Sequence, residues 1–121
     1  MKRIAIDMMG SDKGPEELSQ GVLRFLRDHS DVTFLLFGNQ EKLVPLFKDA
    51  GDSRVIIKDT NDIVPMEVKP LDFLRKKDSS LYQAILAVKE GEADAVVSAG
   101  STPGLVTGAT ALLKNIDGVR R

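Results

Sequence analysis

The chain has 121 residues, 42% of them hydrophobic and 29% charged, with a formal net charge of -1. That is enough carbon for one domain-sized core, and the near-neutral balance gives no overall field for nucleic acid or an anionic membrane. With no cysteine in the sequence, a disulfide scaffold, a thiolate nucleophile and thiolate-bound zinc are excluded.

The opening "MKRIAIDMMG" has neither a long apolar run nor a small-residue cleavage signal, so no secretory peptide is expected, and no stretch approaches a membrane span. A cytoplasmic location is the default expectation. "RIAIDM" (3–8) predicts a strand that stops at an aspartate, and "GSDKGP" a turn. Pro15 suits a first helical turn, with Glu16 and Glu17 at the positive end of the helix dipole. Leu18, Val22, Phe25 and Leu26 then recur at helical spacing. "VTFLLFG" (32–38) is an unbroken apolar run, as expected of a strand covered on both faces in a parallel sheet.

Gly38 and Asn39 open a second helix carrying Leu43, Val44, Leu46 and Phe47. Pro45 predicts a kink in it or an earlier end. "RVIIK" (54–58) predicts a third strand. Residues 59–78 have no clean period, are broken by Pro65 and Pro70, and are expected to be loop-rich. Leu81, Ile85 and Val88 mark a helix ended by Gly91. "DAVVS" (94–98) predicts a fourth strand. Leu105, Ala109, Leu112 and Ile116 predict a last helix, stopped by Gly118. The end, "DGVRR", follows a helical pattern directly and reads as neither linker nor tail, so the chain is expected to be part of something longer. Strands alternating with helices predict an α/β fold, a mostly parallel sheet flanked by helices. Ligands of such sheets sit beyond the carboxyl ends of the strands, which gathers "DMMGSD", "FGN" and "SAGSTPG" on one rim.

Two polar stretches stand out on that rim. In "SAGSTPG" (98–104), Ser98, Ser101 and Thr102 offer hydroxyls, and Gly100 and Gly104 let backbone amides approach a ligand. A helix start follows, where free amides bind anions. Thr102 as cap and Pro103 as first helical residue account for the same letters structurally. In "RKKDSSLYQ", Ser80 and Gln83 fit a capping box. Asp78 is expected either to hold a lysine or to accept amides at the helix start. Lys77 is a candidate to neutralise a phosphate; the competing reading of Arg75, Lys76 and Lys77 is a solvated face. Asp7 and Asp12 are placed to bind a hydroxyl or to tie down the glycine turn, and no metal is expected there. The single histidine, His29, closes a helix and is not expected to act as a base. Tyr82, Phe34 and Phe37 read as packing or rim residues. The sequence has no G-x-G-x-x-G, no G-x-x-x-x-G-K-[ST] and no G-x-S-x-G, so no nucleotide cofactor is expected. With no cysteine or suitable histidine, a covalent acyl-enzyme is poorly supplied. Chemistry by positioning an already charged nucleophile remains.

Together "IAIDMMGSDKGP" (4–15), "RKKDSS" (75–80), "VKEGEADAVVSAGSTPG" (88–104) and "IDGVRR" (116–121) resemble the PlsX family, the phosphate acyltransferases of bacterial phospholipid synthesis. The resemblance spans the whole chain, and members usually exceed about 300 residues, so residues 1–121 are expected to be the amino-terminal part. It implies a three-layer fold like that of isocitrate and isopropylmalate dehydrogenases and phosphotransacetylase. It implies transfer of a fatty acyl group from acyl carrier protein to inorganic phosphate, without a cofactor. The acyl phosphate product then serves a glycerol 3-phosphate acyltransferase. A homodimer in peripheral contact with the membrane is implied too. Carried onto this chain, the first motif falls on Asp7, Met9, Gly10, Ser11 and Asp12, with Ser11 where a second glycine is usual. The basic motif falls on Arg75 to Ser80, followed by Leu81 in place of the common methionine. The third falls on Ser98 to Gly104, with Ser101 for asparagine and Pro103 for glycine, which removes one amide. The site implied has Lys77, Asp78 and Ser79 as catalytic residues. Lys76, Ser98, Gly100, Ser101 and Thr102 bind the anion, and Asp7, Gly10, Ser11 and Asp12 form a supporting loop. Three alternatives stay open: a phosphotransacetylase-like enzyme using acyl coenzyme A, a non-catalytic fragment lacking part of the cleft, and a dehydrogenase suggested by fold kinship alone.

Overall fold

The computed structural model describes residues 2–9, 14–47, 54–61, 69–98 and 108–109. Four strands, β1 (Lys2–Asp7), β2 (Val32–Gly38), β3 (Val55–Asp59) and β4 (Ala95–Ser98), form one sheet in the order β3-β2-β1-β4. All neighbours are parallel, with Ile4 opposite Phe34 and Ala95, and Asp7 opposite Phe37 and Ser98. The strands fall within a residue of their sequence-predicted bounds. The chain winds outward from β1 to β3 and then returns to the other side of β1. The strand order therefore reverses between β1 and β4, the switch point where open α/β sheets leave a crevice.

The alternation of side chains along each strand sorts the core into two layers. Ile4, Ile6, Phe34, Leu36, Val55 and Ile57 pack toward α1 (Pro15–Asp28) and α2 (Gln40–Phe47), where Val22, Leu26, Leu43 and Phe47 meet them. Ala5, Leu35 and Phe37 face α4 (Ser80–Lys89) through Ala84 and Ala87. Small alanines on both sides of that contact let the helix lie close to the sheet. The predicted parallel sheet flanked by helices is thus observed, with helices on both faces. The α1 face is covered less completely at β4: Val97, opposite Ile6, is 51% exposed and borders an apolar groove of about 300 Å³ with Leu18 and Phe25.

Local signals explain most of the helices. Pro15 begins α1, with Glu16 and Glu17 in its first turn, and Gly14 before it takes a positive φ of 81° that favours glycine. His29 closes α1 by donating its amide to Phe25 O and stacks on the Phe25 ring at 4.0 Å. Asn39 Oδ1 accepts the Glu41 amide at 2.9 Å at the start of α2. Pro45 lies inside α2; the helix continues past it because only the carbonyl of solvent-exposed Glu41 loses its helical donor. Gly38 ends β2 where a Cβ would come within 2.8 Å of Met9 Cγ. Phe34 and Phe37 are core residues, and Tyr82 is buried against Phe73.

Two expectations need correction. Residues 70–75 form a short helix, α3 (Pro70–Arg75), and its Phe73 is fully buried beside Leu81, Tyr82 and Ile85. Pro70 opens this helix instead of breaking a loop, because proline at the first helical position loses no hydrogen bond. The second correction concerns the cap of α4. Ser79, not Ser80, is the N-cap: its Oγ accepts the Tyr82 amide at 3.1 Å. The Gln83 side chain donates to Lys77 O instead of closing a box with Ser80. Ser79→Ala is expected to lower stability by about 1 kcal/mol, read as a shifted urea midpoint of the full-length protein; an unchanged midpoint would take the cap away from Ser79. The predicted helix over residues 105–116 lies outside the described residues except at 108–109. There Gly108 approaches so closely that a Cβ would stand 2.8 Å from Phe73 Cε2.

Candidate functional site

The carboxyl ends of β1 and β4 carry the polar cluster that the sequence places on the rim. Asp7, the last residue of β1, is only 1% exposed. A buried carboxylate needs donors on both oxygens to offset its lost hydration, and Asp7 has them. Oδ1 accepts the Ser80 hydroxyl at 2.5 Å and the Met9 amide at 3.1 Å. Oδ2 accepts the Ser98 hydroxyl at 3.1 Å. One side chain thereby ties together the end of β1, the turn behind it, the start of α4 and the end of β4. The partners lie 73 and 91 residues away in sequence. Asp7 accepts two serine hydroxyls and the amide of Met9 just past β1; Gly10 to Asp12 of the expected glycine turn lie outside the described residues.

Next to this cluster the basic stretch turns from α3 into α4. Lys77 is exposed and Lys76 half-buried. Asp78 is exposed; its Oδ2 accepts the Asn61 side-chain amide at 2.8 Å, and its carbonyl accepts the Asn61 backbone amide at 3.3 Å. Asn61 lies two residues past the end of β3. Here it links the end of β3 to the basic stretch, a role that no local spacing announces. Ser79 is fully buried with its hydroxyl engaged as the helix cap, so its Oγ supports the backbone of α4. Gly10, Ser11, Asp12, Gly100, Ser101 and Thr102 lie outside the described residues. Of the proposed site, then, the structure brings together Asp7 and Ser98, with Ser80, expected only as a helix cap, as the other hydroxyl partner of Asp7, and sets Lys76, Lys77 and Asp78 on the turn that leads into Ser80.

A second concavity, of about 230 Å³, runs along α4 and is lined by Lys58, Asp59, Thr60, Gln83, Glu90 and Glu92 among others. Three carboxylates against one ammonium make it a poor host for a phosphate dianion. Lys76 and Lys77 lie instead on the turn that leads to Ser80, the partner of Asp7.

A model of the family described as fatty acid synthesis protein matches residues 2–121. The chain belongs to this family. Its relatives named phosphate acyltransferase include one from Aliarcobacter butzleri, 45% identical over 121 residues that make up 100% of this chain and 36% of the relative. The phosphate acyltransferases of Thermosipho africanus and Lactococcus lactis subsp. lactis are 40% and 43% identical, over 100% and 98% of this chain and 36% of each relative. The PlsX resemblance read from four motifs is thus a true kinship. The chain spans little more than a third of these family members' length.

Proposed function

We propose that this chain is the amino-terminal part of a phosphate acyltransferase that moves a fatty acyl group from acyl carrier protein to inorganic phosphate. The observation that carries the reading is the Asp7 cluster at the switch point, beside an exposed lysine turn, in a chain whose relatives bear that name. A phosphate oxygen attacks the thioester carbonyl, the C–O bond forms, and the C–S bond breaks with its electron pair leaving on the carrier's sulfur. The nucleophile already carries negative charge, so the protein's task is placement and charge neutralisation. Lys77, with Lys76, would hold phosphate by charge-assisted hydrogen bonds. The segment from Ser98 through Gly100, Ser101 and Thr102 would brace phosphate or the developing oxyanion. Asp78 and the Ser79 cap would fix the turn that carries Lys77.

The same reading includes the three-layer arrangement of isocitrate and isopropylmalate dehydrogenases and of phosphotransacetylase, a homodimer, and delivery of acyl phosphate to a glycerol 3-phosphate acyltransferase. It also includes a cytoplasmic enzyme in peripheral contact with the membrane. Among the described residues no helix is long and apolar enough to cross a membrane. The test is thiol release by the full-length protein from acyl carrier protein and from acyl coenzyme A, each with and without phosphate. Release that requires phosphate and is faster from the carrier protein is expected. A preference for coenzyme A would favour the phosphotransacetylase-like reading, and release indifferent to phosphate would overturn both.

A further inference from the structure

The chain leaves β3 at Asp59, and the Thr60 amide still reaches Gly38 O at 2.9 Å. Asn61 is thereby carried to the turn before α4, where it meets Asp78 twice. Its backbone amide donates to Asp78 O at 3.3 Å and its side-chain amide to Asp78 Oδ2 at 2.8 Å. One residue earlier, Lys77 O accepts from the Gln83 side chain. Two successive carbonyls of the turn are therefore held, and the Asp78 carboxylate is drawn to the end of β3. Lys77 is exposed, and among the described residues its ammonium forms no ion pair or hydrogen bond. Yet a carboxylate next to a lysine in the chain is a ready partner for it. An exposed pair of this kind shifts a competing equilibrium by up to about fivefold. Here a neutral amide takes the carboxylate first.

We propose that Asn61 is a positioning residue that engages the Asp78 carboxylate and so keeps the neighbouring Lys77 ammonium open to an anion. That the anion is phosphate rests on the acyl-transfer reading; that Lys77 depends on Asn61 to stay unpaired does not.

Asn61→Ala removes the side-chain bond with little disturbance of the fold. Asn61 is exposed, and its backbone bond to Asp78 O survives the truncation. Freed of the amide, Asp78 pairs with Lys77 and competes with any anion for it. The competition needs a charge at residue 78. Asp78→Asn removes that charge at nearly constant shape, so in that background Asn61→Ala has no carboxylate to release.

Calorimetric titration of the full-length protein with inorganic phosphate measures the affinity without relying on turnover. The dissociation constant is expected to rise about fivefold in Asn61→Ala, and by less than about twofold when Asn61→Ala is added to Asp78→Asn. An equal loss in both backgrounds would mean that Asn61 only braces the turn, and overturns the proposal, as does an unchanged constant in Asn61→Ala. The second measurement is acetylation of Lys77 by acetic anhydride in the same proteins, read by peptide mass spectrometry. A paired ammonium holds its proton and is acetylated more slowly. Slower labelling of Lys77 in Asn61→Ala than in wild type is expected, with the wild-type rate restored by adding Asp78→Asn; equal rates in wild type and Asn61→Ala overturn the proposal. Should the wild type neither bind phosphate nor need it for thioester cleavage, the acyl-transfer reading fails by itself, and the labelling rates still decide whether Asn61 keeps Lys77 unpaired.

Discussion

Lys77→Ala in the full-length enzyme is expected to lower phosphate-dependent thioester cleavage by about a hundredfold, close to 2.7 kcal/mol of transition-state stabilisation, while leaving unfolding within about 0.5 kcal/mol of wild type. The separation of the two effects follows from where Lys77 sits. Its side chain is exposed, so truncation removes little packing. Its structural contribution is made by the backbone carbonyl, which accepts the Gln83 amide and survives the change. In the proposed reaction its chemical contribution would be the ammonium, which would let phosphate approach a thioester without uncompensated charge. Lys77→Arg keeps the charge but replaces a compact donor with a planar fork, and is expected to recover only part of the rate. Wild-type turnover in Lys77→Ala, measured with saturating phosphate and acyl carrier protein, would remove Lys77 from the site.

The parts of this architecture that were legible in the sequence are those decided by neighbours along the chain. The unbroken run Val32 to Gly38 announced a strand buried on both faces, and β2 lies inside the sheet with helices on either side. Pro15 with two following glutamates announced a helix start. The misreadings share a different origin. Ser79 and Ser80 are equally good caps by spacing; Ser80 is drawn away because a buried carboxylate 73 residues earlier needs its proton. Pro70 looks like a breaker until Phe73 is seen filling the space beneath α4. In each case a partner distant in sequence chose between two locally equal options. The candidate site was legible as a set of motifs on one rim, because strand ends fall on a common edge in any parallel sheet. That Asp7 would join two of those motifs through opposite oxygens is a matter of register, and the pairing of Asp7 with Ser98 across β1 and β4 is fixed only when the sheet assembles.

The largest stability loss is expected from Leu36→Ala, about 2–5 kcal/mol, out of a total that for a domain of this kind is about 5–15 kcal/mol. Leu36 is fully buried at the middle of the sheet, opposite Ile6 on one neighbour and Ile57 on the other. It belongs to the layer filled by Met8, Val22, Leu26 and Leu43 from three other segments. None of these can collapse into the space without leaving its own neighbours, so most of the cavity persists and the cost exceeds simple transfer of the lost carbons. The contrast is Leu71→Ala on α3, where the side chain is 70% exposed and a change within about 0.5 kcal/mol is expected. Urea unfolding of both variants in the full-length protein reads the difference as a lowered midpoint for Leu36→Ala at unchanged slope. Because β2 supports β1, and β1 carries Asp7 at its end, Leu36→Ala is also expected to lose phosphate-dependent turnover only where it loses folded protein. Activity per folded molecule that stayed near wild type would separate the core that holds the strand from the residues that hold the anion; a variant as stable as wild type would mean that Leu36 is not at the centre of this layer.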